Sequence, residues 1–167
     1  MVVRAVAPLP VLAAGGIATG EGLAAALALG AGGALLGTRF LATEESPLPP
    51  AFQRAILASD GHNTLLTEIP DVARGRVWPG AFSRVARNRF VERWAGREGE
   101  LRSRQAEAAA GLQRAVAAGD ADEAALFMGQ DAGLIDAIEP AGDVVRRIVR
   151  EADEILRRLG TSVVEGR

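Results

Sequence analysis

Cysteine is absent from this 167-residue chain and histidine occurs once, as His62. Without thiols there is neither a disulfide framework nor a thiolate metal centre, and one imidazole excludes a multi-histidine metal site. An excess of either charge is missing too: 19 basic residues stand against 21 acidic ones, a net −2. That balance gives no electrostatic footprint for nucleic acid or for an anionic membrane surface. No apolar run approaches the ~18 residues of a membrane span. The opening MVVRAVAPLPV lacks the basic-then-apolar layout of a signal peptide. The expectation is one soluble cytoplasmic domain, since a chain of this size buries roughly 68–70% of its unfolded surface.

Glycine, by contrast, is plentiful and unevenly placed, with eight of the 20 lying between Gly15 and Gly37. Val11 to Ala14 read as a short buried strand, opened by Pro10 and closed by Gly15-Gly16. Thr19 is an N-cap and Glu21 suits a first helical turn, so a helix is predicted from Gly20 to Leu29, stopped by Gly30. Ala34 to Leu36 form a second buried strand, followed by Gly37-Thr38 and a helical turn through Phe40. Strand, helix, strand with short links defaults to a parallel crossover. Glycines at the carboxyl ends of such strands bring the backbone within hydrogen-bonding distance of an oxyanion, and the following helix points its unpaired N–H groups the same way. The second turn adds a backbone N–H and the Thr38 hydroxyl. One glycine pair alone would read as a tight turn; two such turns joined by one helix read as an anion site.

Downstream, helices are predicted over Pro50–Ala58, through Phe82, Ala86, Phe90 and Trp94 as an aromatic stripe, and over Glu98–Ala118. A turn at Asp60-Gly61 precedes a short strand from Thr64 to Ile69, and Asp120 opens a brief helix through Phe127. MGQDAGLIDAIEP, from Met128, reads as a glycine-interrupted loop. A last helix begins near Pro140, with Val144, Ile148, Ala152, Ile155 and Leu159 along one side and RRIVREADEILRR giving a solvated face; the tail from Gly160 should fray.

At these residues a resemblance emerges. PVLAAGGIATGEGLAAALALGAGGALLGTRFLATEES resembles the late barrel segment of the nitronate monooxygenase family, formerly 2-nitropropane dioxygenases, which are flavin mononucleotide (FMN) enzymes on a TIM barrel related to the flavin-type enoyl-acyl carrier protein reductases. VARNRFVERW and MGQDAGLIDAIEP, with the terminal helix, resemble the same family's C-terminal portion in the same order. The resemblance implies an α/β fold: a partial TIM barrel, its last two βα units, followed by a mostly helical C-terminal region. Residues 1–167 would be a single incomplete domain, with an FMN phosphate-binding βαβ segment over 8–46 and the helical region over 47–167. It further implies that Gly15, Gly16, Leu35, Leu36, Gly37 and Thr38 line the flavin phosphate, that Gln130 lies near the cofactor, and that the reaction is oxidation of an alkyl nitronate with oxygen reoxidising the flavin.

A closed barrel needs eight strands and typically about 250 residues. In the family the other strands and the catalytic histidine base belong to the N-terminal half, so a complementing N-terminal barrel half is the expected partner. His62, in the turn DGHN, is expected to be an exposed loop residue with no catalytic role. Trp94 reads as core packing, and Trp78 is open between flavin stacking and an ordinary loop position. Arg39 is open between a phosphate and Glu44 or Glu45. Two other readings stand beside the first: another phosphate-binding TIM-barrel enzyme, such as a flavin-type enoyl-acyl carrier protein reductase, and a non-catalytic helical interaction module using the apolar faces of 81–118 and 140–159. Parallel strands without neighbours expose backbone groups at both edges, so the chain alone is expected to be marginal and to bind flavin weakly.

Overall fold

A computed structural model describes residues 2–164. A short helix, α1 (Val2–Val6), precedes β1 (Leu12–Ala14), α2 (Gly20–Ala28), β2 (Gly33–Leu35) and α3 (Thr38–Leu41). The two strands pair in parallel, with Leu12 opposite Gly33 and Ala14 opposite Leu35. The local signals act as their chemistry dictates. The Thr19 hydroxyl accepts from the Gly22 N–H, and Gly30 takes φ +93° where the chain leaves the helix.

The strands are less buried than their apolar composition suggests: Leu12 is 61% and Leu35 64% exposed. Neighbouring side chains on a strand point to opposite faces. In a parallel pair both faces ordinarily carry cover, and here Leu12 and Leu35 lie on surface that no described residue covers.

The middle of the chain departs furthest from its sequence pattern. After α4 (Pro50–Leu57) comes an antiparallel hairpin of β3 (Thr64–Thr67) and β4 (Ser83–Ala86), with α5 (Ile69–Ala73) between the strands. The four-residue spacing of Phe82, Ala86, Phe90 and Trp94 is therefore not one helix. Val85 pairs with Leu65 across the hairpin, and Asn88 caps α6 (Arg89–Trp94) by accepting the Val91 N–H at 3.1 Å. The helix starts at its cap, and the strand before it shares the spacing by coincidence.

The long helix over 98–118 is two, α7 (Glu98–Ser103) and α8 (Gln105–Ala118), bent at Arg104. Gly119, at φ +67°, ends α8. No helix forms over 120–127; the Asn88 amide donates to the Ala121 and Ala124 carbonyls and the Ala86 N–H to Leu126. Tertiary hydrogen bonds thus override local propensity there. The loop after Met128 contains a 3-10 helix, Gln130–Leu134.

The last helix, α9 (Ala141–Val164), buries Val144, Ile148 and Ala152, while Leu159 is exposed. The helix extends past Gly160, where fraying was expected; residues 165–167 lie outside the described chain. Two apolar clusters hold these parts together. One joins Phe52 and Ile56 to Leu126, Met128 and Ile135; the other gathers Ile69, Val85, Phe90, Val91, Trp94, Leu101 and Leu112. Apolar residues of α6 to α8 are built into the second cluster, and α9 packs against α2.

Buried polar bonds tie the two glycine turns to the C-terminal region. Arg39, 1% exposed, donates from Nη2 to the carbonyls of Ala42 and Ala137, both at 2.6 Å, and Nη1 lies 3.6 Å from Glu139. Arg39 therefore pairs with neither a phosphate nor Glu44 or Glu45, and burial pulls its pKa below the ordinary arginine value while Glu139 pulls back. Glu139 also accepts from Arg147 at 2.8 Å; Arg147 contacts Glu151, and Glu151 accepts the Gly20 N–H at 3.3 Å. Glu45 accepts the Ala141 N–H at the start of α9.

Removing the guanidinium leaves two buried carbonyls without donors. Arg39→Met should cost about 3 kcal/mol, measured by urea denaturation, and Arg39→Lys should recover part of it, because one ammonium can donate to both carbonyls as Nη2 does but lacks the second nitrogen that faces Glu139. A loss under about 1 kcal/mol, the scale of an exposed ion pair, would show that Arg39 is not the tie.

Candidate functional site

The glycine turns after β1 and β2 open onto one cavity of about 670 Å³, within the range of about 300–1,000 Å³ typical of ligand pockets. Gly15, Gly16, Leu35, Leu36, Gly37, Thr38 and Gln130 all line it. Residues separated by more than 90 positions are thereby brought to one place. Ile17, Arg84, Gly129 and Asp131 also line the cavity and were not anticipated. Arg84 was hidden because its strand shares the spacing of a helix.

Each glycine has a different reason to be glycine. Gly15 and Gly16 have φ of +94° and +73°, a region that disfavours side chains, and a Cβ on either would meet nothing within 4 Å. Gly37 has an ordinary φ of −105°, and there too a Cβ would meet nothing within 4 Å. Neither conformation nor packing calls for glycine at 37. What it preserves is open space at the mouth of the turn.

The opposite logic operates behind the cavity. A Cβ on Gly61 would overlap the Gln130 carbonyl, and one on Gly133 would overlap the Asp60 carbonyl. The 59–63 turn and the 3-10 helix interlock backbone to backbone, which fixes Gln130 from behind. His62 sits on that turn, exposed, and does not line the cavity.

Two expectations about the anion donors change. The Thr38 hydroxyl is committed: it donates to Asp131 Oδ1 at 3.0 Å and accepts the Gly129 N–H at 2.8 Å. With its one proton given to Asp131, it has none for a ligand; its work is to clamp the Gly129–Asp131 segment against the β2–α3 turn. The start of α2 is likewise occupied, by Thr19 at Gly22 and Glu151 at Gly20. The turns themselves, Gly15-Gly16 and Leu36-Gly37, line the cavity.

Trp94 is core, with the guanidinium carbons of Arg97 and Arg104 each 5.7 Å from its ring. A groove of about 620 Å³ runs beside it, but Arg93, Arg97 and Arg104 there are each paired with glutamates. Trp78 is 61% exposed beside a separate hollow and does not line the glycine cavity. Among the described residues there is no cluster suited to a metal ion, and no helix is long and apolar enough to cross a membrane.

A parallel strand-helix-strand unit presenting backbone and open space to one cavity marks the α/β class whose ligands sit at the carboxyl ends of strands. Comparison with known proteins narrows this. The family model of nitronate monooxygenase matches residues 1–151, and the chain belongs to that family. It is similar to nitronate monooxygenase of Neurospora crassa, 34% identical over 89% of this chain and 39% of that protein. It is also similar to a putative monooxygenase of Mycobacterium tuberculosis, 36% identical over 90% of this chain and 40% of that one.

Among solved structures, FabK of Thermotoga maritima aligns with TM-score 0.78 and 36% identity over 95% of this chain and 48% of that one. Nitroalkane oxidase of Streptomyces ansochromogenes aligns with TM-score 0.75 and 33% identity, covering 94% and 43%. The chain thus spans less than half the length of these relatives.

The contrast between open and interlocked glycines is measurable. Gly133→Ala should cost about 1–3 kcal/mol by overpacking, whereas Gly37→Ala should stay within about 0.5 kcal/mol. Equal costs in urea denaturation would contradict the geometry.

Proposed function

We propose that this chain provides the phosphate-binding wall of an FMN site in a nitronate monooxygenase, as the last two βα units of a TIM barrel with their C-terminal region. The observation that carries the reading is Gly37, whose missing side chain answers to neither backbone nor packing and leaves the cavity open at a strand end. Family membership over residues 1–151 supports FMN as the ligand and nitronate oxidation as the chemistry.

In this reading residues 8–46 form the phosphate-binding segment and 47–167 the region that backs it. Gly15, Gly16 and Gly37 bring backbone N–H groups to the phosphate, Leu35 and Leu36 give the cavity an apolar side, and Thr38 holds the Gly129–Asp131 segment so that Gln130 stays beside the cofactor. Bound flavin supplies the electron acceptor for oxidising an alkyl nitronate, with molecular oxygen regenerating it. In this reading the one histidine, exposed on a turn outside the cavity, is not the base. Proton transfer and most of the ring pocket fall to the complementing barrel half, which also covers Leu12 and Leu35. The same cavity would serve a flavin-type enoyl-acyl carrier protein reductase; the family match favours the nitronate.

FMN titrated into the chain alone should bind weakly. Adding the N-terminal barrel half of a family member should tighten binding at least about tenfold, which is about 1.4 kcal/mol, and Gly37→Leu should abolish that gain while leaving stability unchanged. Tight FMN binding by the chain alone, or full binding by Gly37→Leu, would overturn the assignment.

A further inference from the structure

Of the residues lining the glycine cavity, two are charged, Asp131 and Arg84. Asp131 is buried, its Oδ1 bonded to Thr38 and folded back so closely that a Cβ on Gly129 would collide with it. On its own this carboxylate makes the cavity unfavourable for an anion, because like charges in a partly dehydrated space repel strongly. Arg84 is the counterweight. It lies on β4, half-buried, opposite Leu66 in the hairpin register.

Its described hydrogen bond runs from Nη1 to the Thr64 hydroxyl at 3.1 Å, and among the described residues it makes no ion pair. That sets it apart from Arg39, Arg93, Arg97, Arg104 and Arg147, each of which has a carboxylate within 4.0 Å. A guanidinium facing a cavity, steadied by one neutral hydroxyl and lacking a carboxylate, retains donors for a ligand oxyanion in the fork geometry that suits phosphate or a planar two-oxygen anion.

We infer that Arg84 is the anion-pairing side chain of this cavity, taking an oxyanion that belongs either to the cofactor's phosphate or to the anionic substrate. The inference rests on the cavity being the ligand site, as proposed above, and extends that reading from backbone groups to a charged side chain on the C-terminal region.

The test titrates inorganic phosphate, FMN, riboflavin and an alkyl nitronate into the wild-type chain and into Arg84→Gln, Arg84→Lys and Thr64→Val, with affinities followed by NMR. Arg84→Gln should weaken at least one anionic ligand about tenfold, Arg84→Lys should retain part of the affinity, and Thr64→Val should change it less than threefold. Loss confined to FMN and phosphate, with riboflavin unchanged, assigns the oxyanion to the cofactor; loss confined to the nitronate assigns it to the substrate. Either result supports the inference.

In the unmodified chain, the Arg84 Nε–H resonance should shift when the weakened anion is added, a readout that needs no variant to fold. Phosphate binding that depends on Arg84 without any flavin binding would sink the flavin reading and leave this one standing. Unchanged affinities in Arg84→Gln, an equal loss in Thr64→Val, an unmoved Arg84 resonance, or no binding of any probe by the wild-type chain would overturn it.

Discussion

The buried guanidinium of Arg39 is the constraint on which the rest of the structure depends. It sits one residue past the β2–α3 turn, and its bonds to Ala42 and Ala137 join that turn to the segment leading into α9. From Glu139 the connection passes through Arg147 and Glu151 to the N–H of Gly20, where α2 begins just beyond the other glycine turn. Both turns are therefore referenced to α9 as well as to each other through the strands. A charge buried this deeply is expensive unless satisfied, and one atom, Nε, has no partner. Such a group is better understood as fixing geometry than as adding stability.

Glycine serves two opposed purposes around the cavity, and the difference is spatial. At 61 and 133 it lets two backbones interlock, and a methyl group would force them apart. At 15, 16 and 37 there is room for a side chain and none is present. The same residue thus builds a rigid rear wall and keeps the front open. The rear wall fixes the start of the 3-10 helix, so that Gln130 holds its place at the cavity.

The strand-helix-strand unit was legible in the sequence because its signals are local: Thr19 caps, Gly30 stops, and apolar triplets end in glycine. The two glycine turns were placed together from their strand ends and Gln130 near them from family resemblance, and all three line one cavity. What could not be read was decided at a distance. Ser83–Ala86 is a strand because Thr64–Thr67 lies beside it, and residues 120–127 turn rather than form a helix because Asn88 draws the Ala121 and Ala124 carbonyls. Nothing within either stretch encodes those neighbours. Arg39 and Thr38 were correctly placed at the turn and misjudged in role, since their partners Ala137, Glu139, Gly129 and Asp131 lie about a hundred residues on.

This last point explains why the C-terminal region belongs with the strand ends. Thr38 cannot both hold Asp131 and offer its proton to a ligand, and the geometry gives the proton to Asp131. The hydroxyl that would otherwise touch an anion instead positions a second segment bearing Gln130, while the hairpin brings Arg84 to the same cavity. One direct contact is exchanged for two groups delivered from distant sequence. A strand-end glycine site can bind an anion by backbone alone, whereas selecting a particular ligand requires polar side chains, and Arg84 and Gln130 are side chains of that kind lining this cavity. The strand ends and the region that follows them therefore meet at one cavity, the glycine turns giving backbone and open space and the later residues giving it Arg84, Gln130 and Asp131.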